Sequence, residues 1–424
     1  MNTLLILQNG RLIDPANSLD RQADVWIQDG RIVQSGSAIP ADATILDVKG
    51  KWVVPGLIDM HVHLREPGEE YKETIESGTQ AAAAGGFTAV ACMPNTFPVN
   101  DNATVTGYIL EKAAQSSARV YPVGAISQGS KGVELAEYGE MKRAGVVALS
   151  DDGRPVADSQ LMRRAMEYAS SHHLLIISHS EESSLSRNGC MNESIVSTRL
   201  GLNGIPNAAE SIAVFRELAL AELTGVSVHI AHVSTGDSVE LIRSAKRRGV
   251  HVTAETSPHY FTLTDAAVDG YDTNAKMNPP LRCEPDRQKI RMALQDGTLD
   301  VIATDHAPHS ILQKNVEFDH AANGIIGLET SLPLTLALVR EGLISESRMV
   351  ELMSLAPARI LGVPGGSLTV GDVADITVID PEKKFIYSRE MIVSKSENSP
   401  FIGWQLQGKA VLTLLAGKPT YNEL

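Results

Sequence analysis

Eight short apolar runs separated by helix-like segments constrain this chain more than any other feature. They occupy residues 57–63, 88–93, 120–126, 146–149, 174–177, 226–232, 250–254 and 301–304. Strand-like runs alternating with helical stretches argue for βα units and a parallel sheet. Two of the intervening stretches, 210–223 and 238–248, place apolar residues at i, i+3 and i+4, the spacing of an amphipathic helix. Eight such units in about 300 residues predict a (β/α)8, TIM-like barrel. No internal repeat or low-complexity segment interrupts the pattern.

The flanks read differently. Residues 4–7 are followed by the hairpin signal Asn9-Gly10, and 24–27 by Asp29-Gly30 and the apolar 31–33. The C-terminal stretches 375–379 and 409–418 share this β character. Two β segments bracketing a long middle predict one small β-sandwich built from both termini; two unrelated appendages are the alternative. The expected domains are a discontinuous sandwich, 1–55 plus 365–424, and a catalytic barrel, 56–364.

A chain of 424 residues, 43% of them apolar, has ample core for a large domain and a smaller companion. Its net charge of -14, with no long basic run, argues against nucleic acid as a partner. An anionic substrate would need local cations in such a field. Cys92, Cys190 and Cys283 are odd in number and widely spaced, giving no disulfide framework. The start has only a short apolar run and no basic segment before it, so no signal peptide is expected. No run reaches the roughly 18 apolar residues of a spanning helix. The expectation is a cytoplasmic protein that does not engage membranes.

The chemistry gathers at the ends of the runs. His61 and His63 close the first; residues i and i+2 of a strand face one side, about 7 Å apart. Asn95 follows the second run and Ser150-Asp151-Asp152 the fourth. His179 follows the fifth, His232 ends the sixth and Asp305-His306 follows the eighth. A lone strand-end histidine reads as a hydrogen-bonded structural residue, and a lone aspartate as a helix cap. Together they sit where barrel enzymes keep their catalytic groups. His and Asp are ligands for a divalent metal that activates water. Four imidazoles and two carboxylates exceed the needs of one tetrahedral ion; two ions sharing a carboxylate would use them all. His172, His173, His229, His251 and His320 lack such placement and read as surface or structural. His259 and His306 are not assigned as ligands.

The motifs His61-Val62-His63-Leu64-Arg65-Glu66-Pro67-Gly68, Met93-Pro94-Asn95-Thr96, Ser150-Asp151-Asp152-Gly153 and Asp305-His306-Ala307-Pro308-His309 resemble those of the dihydroorotases of the amidohydrolase superfamily, the class I bacterial type above all. The resemblance spans essentially the whole chain. It implies zinc-dependent, reversible hydrolysis of dihydroorotate to carbamoyl aspartate in pyrimidine synthesis. It implies that His61, His63 and Asp305 hold one zinc, that His179 and His232 hold the second, and that Asp152 bridges. Asp151 stays open as the bridge, because adjacent strand-end residues point oppositely and sequence does not set the register. Asp305 would also be general base and then acid. Arg65, Asn95 and Asn278 resemble residues that grip the substrate carboxylate. His309 resembles a ring contact and Gly324 a backbone contact. A homodimer and an association with aspartate transcarbamoylase are the protein partners expected.

Two features depart from the pattern: Ser180 follows His179 where Cys is common, and Ile311-Leu312 lie in a stretch usually more acidic. They focus attention on the loop 310–323, expected to cover the substrate and to be mobile without it. One rival is a hydantoinase or dihydropyrimidinase, whose relatives usually bridge their metals with a carboxylated lysine at the fourth strand. No Lys occurs from Arg143 to Ala245. The other rival, a non-catalytic partner of the transcarbamoylase, would have lost ligands that this chain keeps.

Overall fold

The computed structural model describes residues 4–36 and 38–424. Residues 1–3, on which the signal-peptide reading partly rests, lie outside the described residues.

All eight runs form strands of one parallel sheet: Leu57–Val62, Phe87–Cys92, Arg119–Gly124, Ala148–Leu149, Leu175–Ser178, Val228–Ile230, Val252–Thr256 and Val301–Ile302. They neighbour one another in chain order. The first strand meets the eighth through a parallel bridge between Val62 and His306, where His63 N donates to His306 O at 2.8 Å. Every residue of the first two strands is buried. That explains their unbroken apolar character, since parallel strands are covered on both faces. Neighbours in sequence fall into different clusters. Ala148, Ile177 and Val301 pack together, whereas Leu149, Ile176 and Ile302 join the larger core shared with the helices. The expected helices are present as Ala208–Thr224 and Gly236–Arg247.

The sixth and eighth strands stop two residues short of their runs, and the reason bears on the site. His232 N turns to the Glu255 carboxylate at 3.4 Å, and Thr304 N to the Asp59 carboxylate at 3.1 Å. Side chains there take amides that a longer ladder would have used. The backbone then enters the left-handed region at His232 (φ 34°) and Asp305 (φ 51°), as it also does at Arg65 (φ 63°). Non-glycine residues rarely adopt that conformation, and where they do the surrounding structure enforces it.

Both termini build two further sheets. One has four strands, in the order Arg31–Val33, Val25–Gln28, Leu5–Gln8, Thr44–Asp47. The other has six: Lys418–Asn422, Gln405–Leu415, Ile376–Ile386, Trp52–Pro55, Arg11–Asp14, Leu19–Gln22. Leu7, Val25 and Ile27 of the first pack with Leu12, Val53, Ile376 and Leu414 of the second in one cluster. The termini thus share a core and are not unrelated appendages. Asn9-Gly10 is not a hairpin, however, because the strands on its two sides belong to different sheets. It is a corner held by Asn9, which bonds Asp24 and Asp47. A Cβ on Gly10 would come within 2.6 Å of Val53. Among the described residues no helix is long and apolar enough to cross a membrane.

Candidate metal centre

The i, i+2 spacing brings the inner nitrogens of His61 and His63 together at the barrel axis. His61 Nδ1 bonds Glu255 Oε1 at 2.6 Å, which leaves Nε2 facing Asp152 Oδ1 at 3.4 Å and Asp305 Oδ1 at 3.6 Å. His63 Nδ1 bonds Asn95 Oδ1 at 2.8 Å, and its Nε2 lies 3.1 Å from Asp305 Oδ1 and 3.4 Å from Asp152 Oδ2. A partner on the outer nitrogen sets which inner nitrogen is bare and how the ring is aimed. From the opposite wall, His179 Nδ1 reaches Asp152 Oδ1 at 3.3 Å and His232 Nε2 at 2.8 Å; His232 Nε2 is 3.4 Å from the same oxygen.

Asp152 therefore stands within 3.4 Å of all four imidazoles. Its neighbour Asp151 turns away to accept from Ile126 N at 2.8 Å, Ser127 N at 3.2 Å and Ser127 Oγ. Two donor sets result, His61, His63 and Asp152 on one side and Asp152, His179 and His232 on the other, each with ligand atoms within 4.8 Å of one another. His61 Nε2 is buried at their centre without a hydrogen-bond partner. An orphaned basic nitrogen ringed by carboxylates suits a cation, so the residues fit a metal.

The charges agree. Burial resists ionisation of Asp152, but His61, His179 and His232 hold it well below the ordinary carboxylate range. Burial likewise opposes a charge on His179, yet the neighbouring carboxylates of Asp152 and Glu181 push it up to about 10. A metal ion would compete with that proton for the His179 lone pair.

Four supporting groups escape a reading of the runs alone. Glu255 lies in the seventh strand one residue past the expected end at Ala254, the strand running on to Thr256; its other oxygen meets His229 Nε2 at 3.2 Å, which gives that buried histidine a structural role. Despite burial, His61 and His229 keep Glu255 ionised far below its usual range. Asp59, inside the first strand, accepts from His61 N and Thr304 N at 3.1 Å each and so ties the first strand to the eighth. Burial pushes it up to about 7. Glu181 accepts from Asn278 Nδ2 at 2.7 Å. Asn398, from the C-terminal segment, accepts from His309 N and donates to Ala307 O and Gly324 O, all at 3.0 Å.

The expected substrate residues lie around this cluster. Arg65 is buried, and its Nε donates to Pro308 O at 3.1 Å. Pairing of Arg65 with Glu66, Glu69 or Glu70 is not seen among the described residues. Glu66 instead receives Ile75 N and Tyr108 Oη, Glu69 pairs with Lys72 at 2.6 Å, and Glu70 receives Gly68 N. The Arg65 guanidinium lies 3.3 Å from His309 Nε2, and that nitrogen bonds Asn323 O at 2.7 Å. Burial and the charges of Arg65 and Lys314 keep His309 neutral, down to about 2. Gly324 (φ 118°) passes so close to Ala307 that a Cβ would come within 2.5 Å, and its carbonyl already accepts from Lys314 and Asn398. In the loop 310–323 the short helix Ile311–Lys314 leaves Ile311 and Leu312 exposed. Lys314 donates back to Ala322 O at 2.8 Å and Gly324 O at 3.0 Å.

The comparisons agree with this geometry. The family model for dihydro-orotase-like proteins matches residues 50–238. The dihydroorotase of Desulfotalea psychrophila is 65% identical over 99% of both chains, and that of Syntrophotalea carbinolica 59% over 99% of both. Among solved structures, the L-hydantoinase (dihydropyrimidinase) of Arthrobacter aurescens superposes with a TM-score of 0.89 at 26% identity, covering 100% of this chain and 97% of its own. The dihydropyrimidinase of Brevibacillus agri, at 24% identity and a TM-score of 0.86 over 100% and 95% of the two chains, shares the fold. With relatives this similar over nearly its whole length, the chain belongs to the dihydroorotase family.

Proposed function

We propose that the carboxyl end of the barrel hydrolyses the cyclic amide of dihydroorotate to N-carbamoyl-aspartate, reversibly, as a step of pyrimidine biosynthesis. The observation that carries the reading is a buried Arg65 without a carboxylate partner, two residues beyond His63 in a cluster built around Asp152. His61, His63 and Asp305 would hold one zinc ion, His179 and His232 a second, with Asp152 between them. A divalent ion so held would supply Lewis acidity, polarising the amide carbonyl and lowering the pKa of water so that it could attack as hydroxide. Asp305, 3.1 Å from His63 Nε2, takes the proton shed by the attacking water and delivers it to the departing ring nitrogen. Arg65 grips the ring carboxylate, with two parallel N–H donors available to it. Asn95 steadies His63, while His309 and Gly324 line the ring's far side. In this reading residues 56–364 are the catalytic barrel, and 1–55 with 365–424 the supporting sandwich. The chain would work as a cytoplasmic homodimer able to associate with aspartate transcarbamoylase.

The test is hydrolysis of dihydroorotate and dihydrouracil by the parent and by Arg65→Met. The parent should strongly prefer dihydroorotate, because a ring without the carboxylate leaves Arg65 desolvated and unpaired. Arg65→Met should cost about 1.5–3 kcal/mol in kcat/KM, the worth of a charged hydrogen-bonded contact, with metal content unchanged. Comparable parental rates on the two rings would return the hydantoinase reading to first place.

A further inference from the structure

The side-chain amide of Asn278 can be oriented from its partner. Nδ2 lies 2.7 Å from Glu181 Oε2, and an ionised carboxylate oxygen only accepts. The NH2 end therefore faces Glu181 and the carbonyl end faces away from it. That carbonyl oxygen, Oδ1, is buried and has no hydrogen-bond partner among the described residues. Glu181 is itself held in place: Ser186 Oγ donates to Oε1 at 2.6 Å, and Oε2 stands 3.7 Å from Nε2 of His179, whose Nδ1 faces Asp152. A buried acceptor left unpaired loses its hydration without compensation. Such groups persist in native structures where something else supplies the missing donor.

We infer that Glu181 is a positioning residue that turns Asn278 into an acceptor for a substrate N–H, so that this wall of the site reads the amide edge of the ring and leaves the carboxylate to Arg65. The inference rests on the cyclic-amide reading above. A cyclic diamide carries N–H groups, and so does the ureide it opens to. To grip a carboxylate, Asn278 would have to offer the second N–H of Nδ2, which would set the substrate carboxylate beside the like charge of Glu181. The Glu181 carboxylate stands 3.7 Å from His179 Nε2, beyond hydrogen-bond reach, so the group it holds is the Asn278 amide.

Exchanging the polarity of the pair tests this. Asn278→Asp alone sets two carboxylates against each other, and kcat/KM for dihydroorotate should fall by about 100-fold or more, mostly through KM. Adding Glu181→Gln supplies an N–H for the new carboxylate while its other oxygen still accepts. The double variant should recover to within about tenfold of the parent, at equal metal content and melting temperature. A folded, metal-loaded double variant no better than Asn278→Asp overturns the inference, as does an Asn278→Asp protein of parental activity. If either fails to fold, Asn278→Ala decides through binding of a ring acid and of the same ring without its carboxylate. An equal penalty for both ligands supports an N–H contact, and a penalty confined to the acid refutes it. A parent that does not hydrolyse dihydroorotate at all would sink the functional reading instead, before any variant is compared.

Discussion

The two walls of the metal cluster are built to different standards. On the first, the outer nitrogen of each ring is held: His61 Nδ1 by Glu255 at 2.6 Å and His63 Nδ1 by Asn95 at 2.8 Å. On the second, the outer nitrogens His179 Nε2 and His232 Nδ1 are buried without a hydrogen-bond partner, and Glu181, facing His179, stands off at 3.7 Å. A ring whose outer nitrogen is held is fixed in tautomer and aim before any ion arrives. One that is not must be ordered at the moment of binding, at a cost in conformational freedom. The contrast teaches that the His61/His63 wall is preformed and the His179/His232 wall adaptable.

Removing what the two walls share should have the largest effect. Asp152→Ala is expected to abolish tight binding on both walls and nearly all hydrolysis, because one carboxylate faces every ring. Asp151→Ala, which releases the Ile126 and Ser127 amides and the Ser127 hydroxyl but touches none of the four rings, should be milder. Elemental analysis beside turnover checks this, and an Asp152→Ala protein that retains a full metal complement breaks the account of a shared bridge.

Weakening the hold on the first wall's ring should cost less. Glu255→Gln keeps the shape but weakens the grip on His61 Nδ1, and supporting carboxylates of this kind are worth about 10–100-fold in metal affinity. The loss should fall on the tighter-binding ion in a competition titration. If it falls on the weaker ion, the walls have been ranked the wrong way round.

A third prediction concerns a histidine outside both walls, and it touches stability and leaves the metal sites alone. His259 Nε2 is buried without a partner, and no carboxylate bonds it. Burial pushes His259 down to about 4, so it stays neutral in the fold. Unfolded, it would titrate near 6.5. Between about pH 4 and 6.5 the unfolded chain therefore binds a proton that the fold does not, and stability is lost as pH falls through that window, by up to about 3 kcal/mol. Urea unfolding of the parent should weaken from pH 7.5 to 5 more than that of His259→Phe. Identical slopes would show that the residue is not held neutral.

What was legible in the sequence follows from periodicity, and what was not follows from register and long-range pairing. His61 and His63 could be placed on one face because a strand alternates with period two. The order of polar residues at the run ends then marks His179, His232, Asp305 and the pair Asp151-Asp152. Asp151 against Asp152 could not be decided, since the choice depends on which neighbour the strand presents to the axis. Glu255 was missed because a charged residue ends an apolar run when read alone, although here it continues the strand. Asp59 was read as part of a run; only the eighth strand beside it explains a buried acid there. Asn9-Gly10 misled because a turn signal says nothing about which sheet the second strand joins.

The most direct test is metal content per chain on protein purified without chelator, followed through graded chelation with dihydroorotate hydrolysis measured alongside. The account predicts two ions per chain, the first lost together with most of the activity and the second, on the His61/His63 wall, resisting a higher chelator concentration. Full activity with a single ion per chain, or loss of both ions in one step, would contradict it.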